Sequence, residues 1–155
     1  MKKMLKILAV LFLTIAAIGV SVYLRGGISI AYINGDTEAL EDRVIEIANL
    51  YRAQAGLHPL VETAELAQAA DIRVAECGVF FSHTRPDGSD WWTVEPNYAW
   101  GENLASGYMD ADSAVDAWMR SPAHMYNIMS PDFSTCGVGV EMVGGKLYYV
   151  AEYGY

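Results

Sequence analysis

Three side chains have types that allow chemistry in concert: His83, Glu102 and His124. The chain has 3 histidines in all. His58 sits in the connector "GLHPL" and reads as structural. His83 lies in "FSHTRPDGSDWW" and His124 in "SPAHMYNIMSP", both irregular junctions of the kind that present functional side chains. Glu102 lies in a third such segment, "WGENLASGY". Two imidazoles and a carboxylate serve two chemistries. They bind a divalent metal such as zinc, with water completing the tetrahedron. Or they handle protons in a cleft, the carboxylate orienting one imidazole. Separations of 19 and then 22 residues match no metal signature, and HExxH, GxSxG and CxxC are absent. The residues alone leave both chemistries open. Ser121, three residues before His124, is a weaker candidate, since a hydroxyl near an imidazole begins a nucleophile–base pair. Its place before Pro122 suits a cap or turn better.

The elements that must position these residues follow from periodicity. A helix is expected to start at Asp36 or Thr37, with Leu40, Val44, Ile47 and Tyr51 on its apolar stripe and Ile45 and Leu50 widening it. Gly56 ends it. Thr63 caps a second helix, whose apolar line runs through Leu66, Ala69, Ala70, Ile72, Val74 and Cys77. From Ser82 to Gly107 the chain is rich in Gly, Pro, Asn and Asp and lacks periodicity, so it reads as a long loop. Within it "RPDG" is a turn. Trp91, Trp92, Trp100 and the later Trp118 are expected mainly in the core, with at most one facing a ligand. A third helix is capped at Asp112 or Ser113 and buries Ala114, Val115, Trp118 and Met119. A short helical segment follows, and "CGVGVEMV", a "GGK" turn and "KLYYVAEYG" form a terminal hairpin. Helices first and strands last indicate an α+β domain.

Composition sets the setting. Residues 1–25 open with Lys2, Lys3 and Lys6, continue apolar from Leu5 to Leu24 and close at Arg25. A basic flank, an apolar core and no acids fit a signal peptide or an N-terminal signal anchor, and the lack of a small-residue cleavage pair favours the anchor. The lysines would stay inside and the rest of the chain outside the cytoplasm. Residues 26–35 read as a linker and 36–155 as one domain. Of 10 Lys and Arg, four lie in the leader, while all 19 Asp and Glu lie beyond it, so the exported part carries six cations against 19 anions, a net −13. Nucleic-acid phosphates would repel such a domain. Membrane contact is expected only through residues 5–24. Cys77 and Cys136, in an exported chain, suggest a disulfide closing a loop of about 60 residues, which the chain-entropy picture values at about 4 kcal/mol. The alternative is two buried thiols.

"FSHTRPDG", "WGENLASGY", "AVDAWMRSPAHMYNI" and "CGVGVEMVGGKLYYVAEYG", in that order, resemble bacterial members of the CAP superfamily. This group takes in cysteine-rich secretory proteins, antigen five and plant pathogenesis-related type-one proteins, and its module is called the SCP domain. The resemblance spans Ala39 to Tyr153. It implies a three-layer α-β-α sandwich with a central cleft. Its cleft histidines fall on His83 and His124, and the glutamate of its "GENLA" segment on Glu102. Its second glutamate falls on Ser121, so one carboxylate of the family's set is missing here. Met125 replaces the basic residue common after the second histidine. The resemblance also implies a Cys77–Cys136 bridge. It favours an exported, monomeric binding domain for a peptide, lipid or glycan, with no required cofactor and zinc as an optional occupant of His83 and His124. A hydrolase using His83, Glu102 and His124 is the alternative.

Overall fold

The computed structural model describes residues 37–155. The expected leader, its membrane segment, the linker and Asp36 lie outside the described residues. Among the described residues no helix is long and apolar enough to cross a membrane.

Helix α1 (Glu38–Gln54) buries Leu40, Val44, Ile47 and Ala48. Thr37 stands at its cap position in helical conformation and makes no side-chain cap, and Leu50 is exposed rather than part of the stripe. Gly56, at φ 72°, turns the chain out of the helix. Strand β1 (Val61–Glu62) is a two-residue piece within the connector. Helix α2 (Ala64–Val79) starts where expected, with Thr63 Oγ1 accepting from the Leu66 amide. Its buried stripe is Leu66, Ala69, Ala70, Arg73, Val74 and Cys77, and Ile72 faces outward. Arg73 therefore takes the place in the stripe that had been given to Ile72.

Strand β2 (Gly101–Ser106) forms from "GENLAS", which had read as irregular. Helix α3 (Ala111–Arg120) is capped by Asp110, two residues earlier than expected, through its carboxylate and the Ser113 amide. Helix α4 (Pro122–Met129) follows directly, with Pro at its first position. Strands β3 (Thr135–Val143) and β4 (Lys146–Gly154) make the predicted hairpin. Gly144 and Gly145, at φ 60° and 80°, supply the two-residue turn that suits the strand twist.

The sheet order is β1-β3-β4-β2, with β1 parallel to β3 and the other pairs antiparallel. Alternation divides its faces. Cys136, Val138, Val140, Leu147, Tyr149, Ala151, Tyr153 and Ala105 pack with Leu40, Val44, Trp118 and Ile128 in the larger core, under α1, α3 and α4. Val150 and Leu104 lie on the other face with Ala70, Val74 and Cys77 of α2. The result is the expected α+β sandwich of three layers.

Helix α2 lies very close to this second face because β3 presents Gly137 and Gly139 there. A Cβ on Gly137 would fall inside the Leu66 and Ala67 backbone, and one on Gly139 would stand 2.6 Å from the Ala70 carbonyl oxygen. The expected disulfide does not form. Both cysteines are buried free thiols. Cys77 belongs to α2 on one face of the sheet, and Cys136 points into the core on the other, so the sheet separates them. Burial, more than any neighbour, pushes the Cys77 thiol up to about 11 and the Cys136 thiol up to about 12.

Candidate functional site

Strand β2 is an edge of the sheet, and the site is built around it. Its outward carbonyls are not left bare. Asn127 Nδ2 donates to the Glu102 carbonyl at 3.2 Å and Trp118 Nε1 to the Leu104 carbonyl at 3.0 Å. These side chains from α4 and α3 close an edge that would otherwise invite another strand. Asn103 points the opposite way from Glu102, donating to the His124 carbonyl at 3.1 Å and the Tyr153 hydroxyl at 3.2 Å. Asn103 and Asn127, themselves bonded at 2.9 Å, tie α4 and its His124 to the strand that carries Glu102. Both asparagines brace α4 against β2.

Glu102 sits under α2, its side chain fully buried, and Arg73 meets it there. Arg73 Nε donates to Glu102 Oε2 at 2.7 Å, and Glu102 Oε1 accepts from His83 Nδ1 at the same distance. The expected pairing of Glu102 with a histidine is present. Glu102 itself lies within strand β2. Arg73 also donates to Glu76 at 2.6 Å and to the Ser82 carbonyl at 2.8 Å. Arg85 completes the row with two nitrogens on Glu76, the shorter contact 2.7 Å. Burial works against charge on Arg73, but its bonds to Glu102 and then Glu76 outweigh it and raise its pKa. Burial would likewise raise Glu76, yet Arg85 and Arg73 hold it below the usual carboxylate range.

The loop carrying His83 is pinned at several points. Arg73 holds the Ser82 carbonyl, and the Trp91 amide donates to the His83 carbonyl at 3.1 Å. The "RPDG" turn closes with the Gly88 amide on the Arg85 carbonyl at 2.9 Å. A carboxylate only accepts, so the Glu102 contact places a proton on His83 Nδ1 and leaves Nε2 as the outward nitrogen. The His83 side chain is 54% exposed and Glu102 0%. The pair thus runs from the protein interior to solvent.

His124, half-buried on α4, lies near enough to feel His83. Burial first, and then the positive charge His83 can carry, lower its pKa. Its ring has no hydrogen-bond partner among the described residues. The structure joins His83 to Glu102 by a hydrogen bond and leaves His124 within electrostatic reach of His83. Ser121 joins α3 to α4, its amide donating to the Trp118 carbonyl and its carbonyl accepting from Met125. No hydrogen bond links it to His124, and it acts as a junction residue. Of the tryptophans only Trp118 is buried, while Trp92 and Trp100 are exposed, contrary to expectation.

Two members of the site were missed in the sequence. Arg73 falls on the helical stripe 66, 69, 70, 73, 74 and 77, and that register was the available signal. Glu152 on β4 stands directly across from Glu102 and is also fully buried. Its parity with Val150 placed it on the face beneath α2.

A zinc ion fits this donor set only in part. Both Glu102 oxygens are already engaged, and no group of three or more His, Cys, Asp and Glu gathers into a metal cage among the described residues. His83 and His124 would offer two imidazoles, fewer than the three or four protein ligands of a resident zinc.

A single sheet between α2 and the α1, α3, α4 layer, with a histidine-carboxylate pair on its edge strand, defines the class: an SCP-type α-β-α sandwich. The CAP family of cysteine-rich secretory proteins matches residues 45–153, and the chain belongs to it. The protein YkwD of Bacillus subtilis (strain 168) is 31% identical over 108 residues, covering 65% of this chain and 42% of YkwD. The chain thus spans less than half the length of that relative. Among solved structures, an extracellular protein containing a SCP domain from Bacillus anthracis matches with TM-score 0.68 at 20% identity, over 84% of this chain and 45% of the other. NaASP2 with Zn2+ matches with TM-score 0.59 at 16% identity, over 86% and 84% of the two chains. At these identities the structures speak for the fold.

Proposed function

We propose that this chain is an exported CAP domain, secreted or tethered outside the cytoplasm by residues 1–25 through the linker 26–35. It binds a peptide, lipid or glycan fragment at the edge of β2. The observation that carries this reading is the Arg73–Glu102–His83 row ending in an open imidazole beside His124. His83 offers Nε2, and His124 a ring whose charged form burial disfavours, so the pair supplies hydrogen-bonding groups for a polar ligand. The extracellular Bacillus anthracis relative supports the location. The acidic surface favours neutral or cationic ligands over nucleic acid.

The test is a panel of short peptides, glycan fragments and lipid vesicles against the full chain and its His83→Ala/His124→Ala variant. One class should bind the native chain and not the variant. Equal binding to both would place the ligand elsewhere. A second reading, a hydrolase or a zinc-dependent binder on the same residues, draws on the relative crystallised with Zn2+. Peptide or ester turnover abolished by His124→Ala would promote it. So would calorimetric binding of one zinc ion that the double variant loses.

A further inference from the structure

The family's second carboxylate falls on Ser121 in this sequence, but a second carboxylate lies beside Glu102 on a different element. Glu152 is fully buried on β4, paired in register with Glu102 on one side and Gly137 on the other. Two carboxylates directly opposed across a strand pair repel. A buried carboxylate also loses its hydration. Yet neither Glu152 oxygen reaches a hydrogen-bond partner of ordinary geometry. The charged and titratable groups that meet it are few. Arg73 comes from α2 and Glu102 from β2, while β3 offers only glycine.

Arg73 cannot neutralise it. Its guanidinium is already shared by Glu102 and Glu76, so a third anion would leave the buried cluster short of positive charge. Burial first, and then the Glu102 charge, push Glu152 well above the usual carboxylate range. The two carboxyl groups stand close enough to influence each other strongly, although no bond between them meets strict geometry. A buried polar group with its proton retained needs an acceptor. Glu102 is the acceptor beside it.

We propose that Glu152 is a positioning residue of this site: a carboxylic acid that keeps its proton, donates it to Glu102, and so holds Glu102 facing His83. The site then contains two carboxyl groups with divided duties, one donating and one accepting. Opposed environments separate such pairs in general. Glu152 acts on the ligand only through Glu102 and His83. The proposal rests on the reading of His83 as ligand-facing, but its test needs no ligand. Its failure would leave the binding experiment above to stand or fall by itself.

The test reads the protons directly by NMR on the full chain in mild detergent. In the native chain the Glu152 side-chain carbon should keep the shift of a protonated carboxyl at near-neutral pH, where an ordinary glutamate, with a pKa of about 4.3, has lost its proton. The nitrogen shifts of neutral His83 should report the Nδ1–H form. Glu152→Gln, which keeps size and a donor, should preserve that form. Glu152→Met, which keeps size and removes the donor, should lose the bias toward it. An ionised Glu152 near neutral pH would overturn the proposal. So would loss of the Nδ1–H bias in Glu152→Gln, or its full retention in a folded Glu152→Met. If Glu152→Met does not fold, the carbon shift and Glu152→Gln decide.

Discussion

Arg52 and Arg73 are both fully buried, one on each side of the sheet, and they are satisfied in opposite ways. Arg52, at the end of α1, donates to the backbone carbonyls of His58, Ile128, Ser130 and Phe133 at 2.7 to 2.8 Å. Its partners are neutral, and burial lowers its pKa. Arg73, on α2, donates to the carboxylates of Glu102 and Glu76, and its pKa is raised. The first arginine knots three chain segments together and is indifferent to proton traffic. The second sets the electrostatics of a row that reaches solvent at His83. A buried charge is therefore no mark of function by itself. What it is paired with, and whether that partner titrates, makes the difference.

The largest effect should come from the structural arginine. Arg52→Met leaves four carbonyls without a charged donor, and a cost of about 4 kcal/mol or more follows if each loses about 1 kcal/mol. Denaturant unfolding should find the same loss at pH 4 and pH 7, since carbonyls do not titrate. Arg73→Met should cost about 3 kcal/mol at pH 7, because Glu102 is then buried without its cation. Here the loss should shrink as pH falls. Glu76 has a depressed folded pKa, so its stabilisation exists above its unfolded pKa and disappears as pH drops through the folded one. A pH-independent loss in Arg73→Met would erase the contrast between the two sites.

Smaller effects sharpen the same contrast. Glu41 on α1 accepts from the Val140 amide at 3.0 Å, beyond the part of β3 that β1 covers. Burial, offset in part by that bond, raises it to about 7. With the folded pKa above the unfolded one, the associated stability is complete below 4.5 and is lost as pH rises through 7. Glu41→Gln keeps the acceptor and removes the charge. It should raise Tm at pH 8 by on the order of 3 °C, a value discounted for partial solvent exposure, and leave Tm unchanged at pH 4. Finally, a thiol assay on denatured, unreduced protein should find two thiols per chain, in keeping with the separated cysteines.

The elements with strong local signals were legible: the α1 stripe, the Thr63 cap, and the Gly144–Gly145 turn between two β-rich runs. Strand β2 was not, because "GENLAS" has no alternation of apolar and polar residues. Its polar members are buried by α2 on one side and by Asn127 and Tyr153 on the other. His83, Glu102 and His124 were identified, but their support was not. Arg73 and Glu152 were not singled out, because a cation within a helical stripe and a carboxylate within a β-rich run carry no motif of their own. Alternation says which residues share a face and is silent about whether water or a helix covers it. The same gap explains the disulfide: the parity that places Cys136 in the larger core became informative only once α2 was known to lie on the opposite face.

The two bare glycines of β3 have a bearing on how this molecule tolerates change. Where α2 crosses Gly137 and Gly139, backbone rests on backbone, with no side chain between to be exchanged for a larger or smaller one. The helix that carries Arg73 is thereby registered to the sheet by main-chain shape. That contact holds the row from Arg73 to His83 by backbone fit and not by the choice of an apolar side chain. The same contact makes these two positions rigid in inheritance, since even one added methyl group would lift the helix and the site with it.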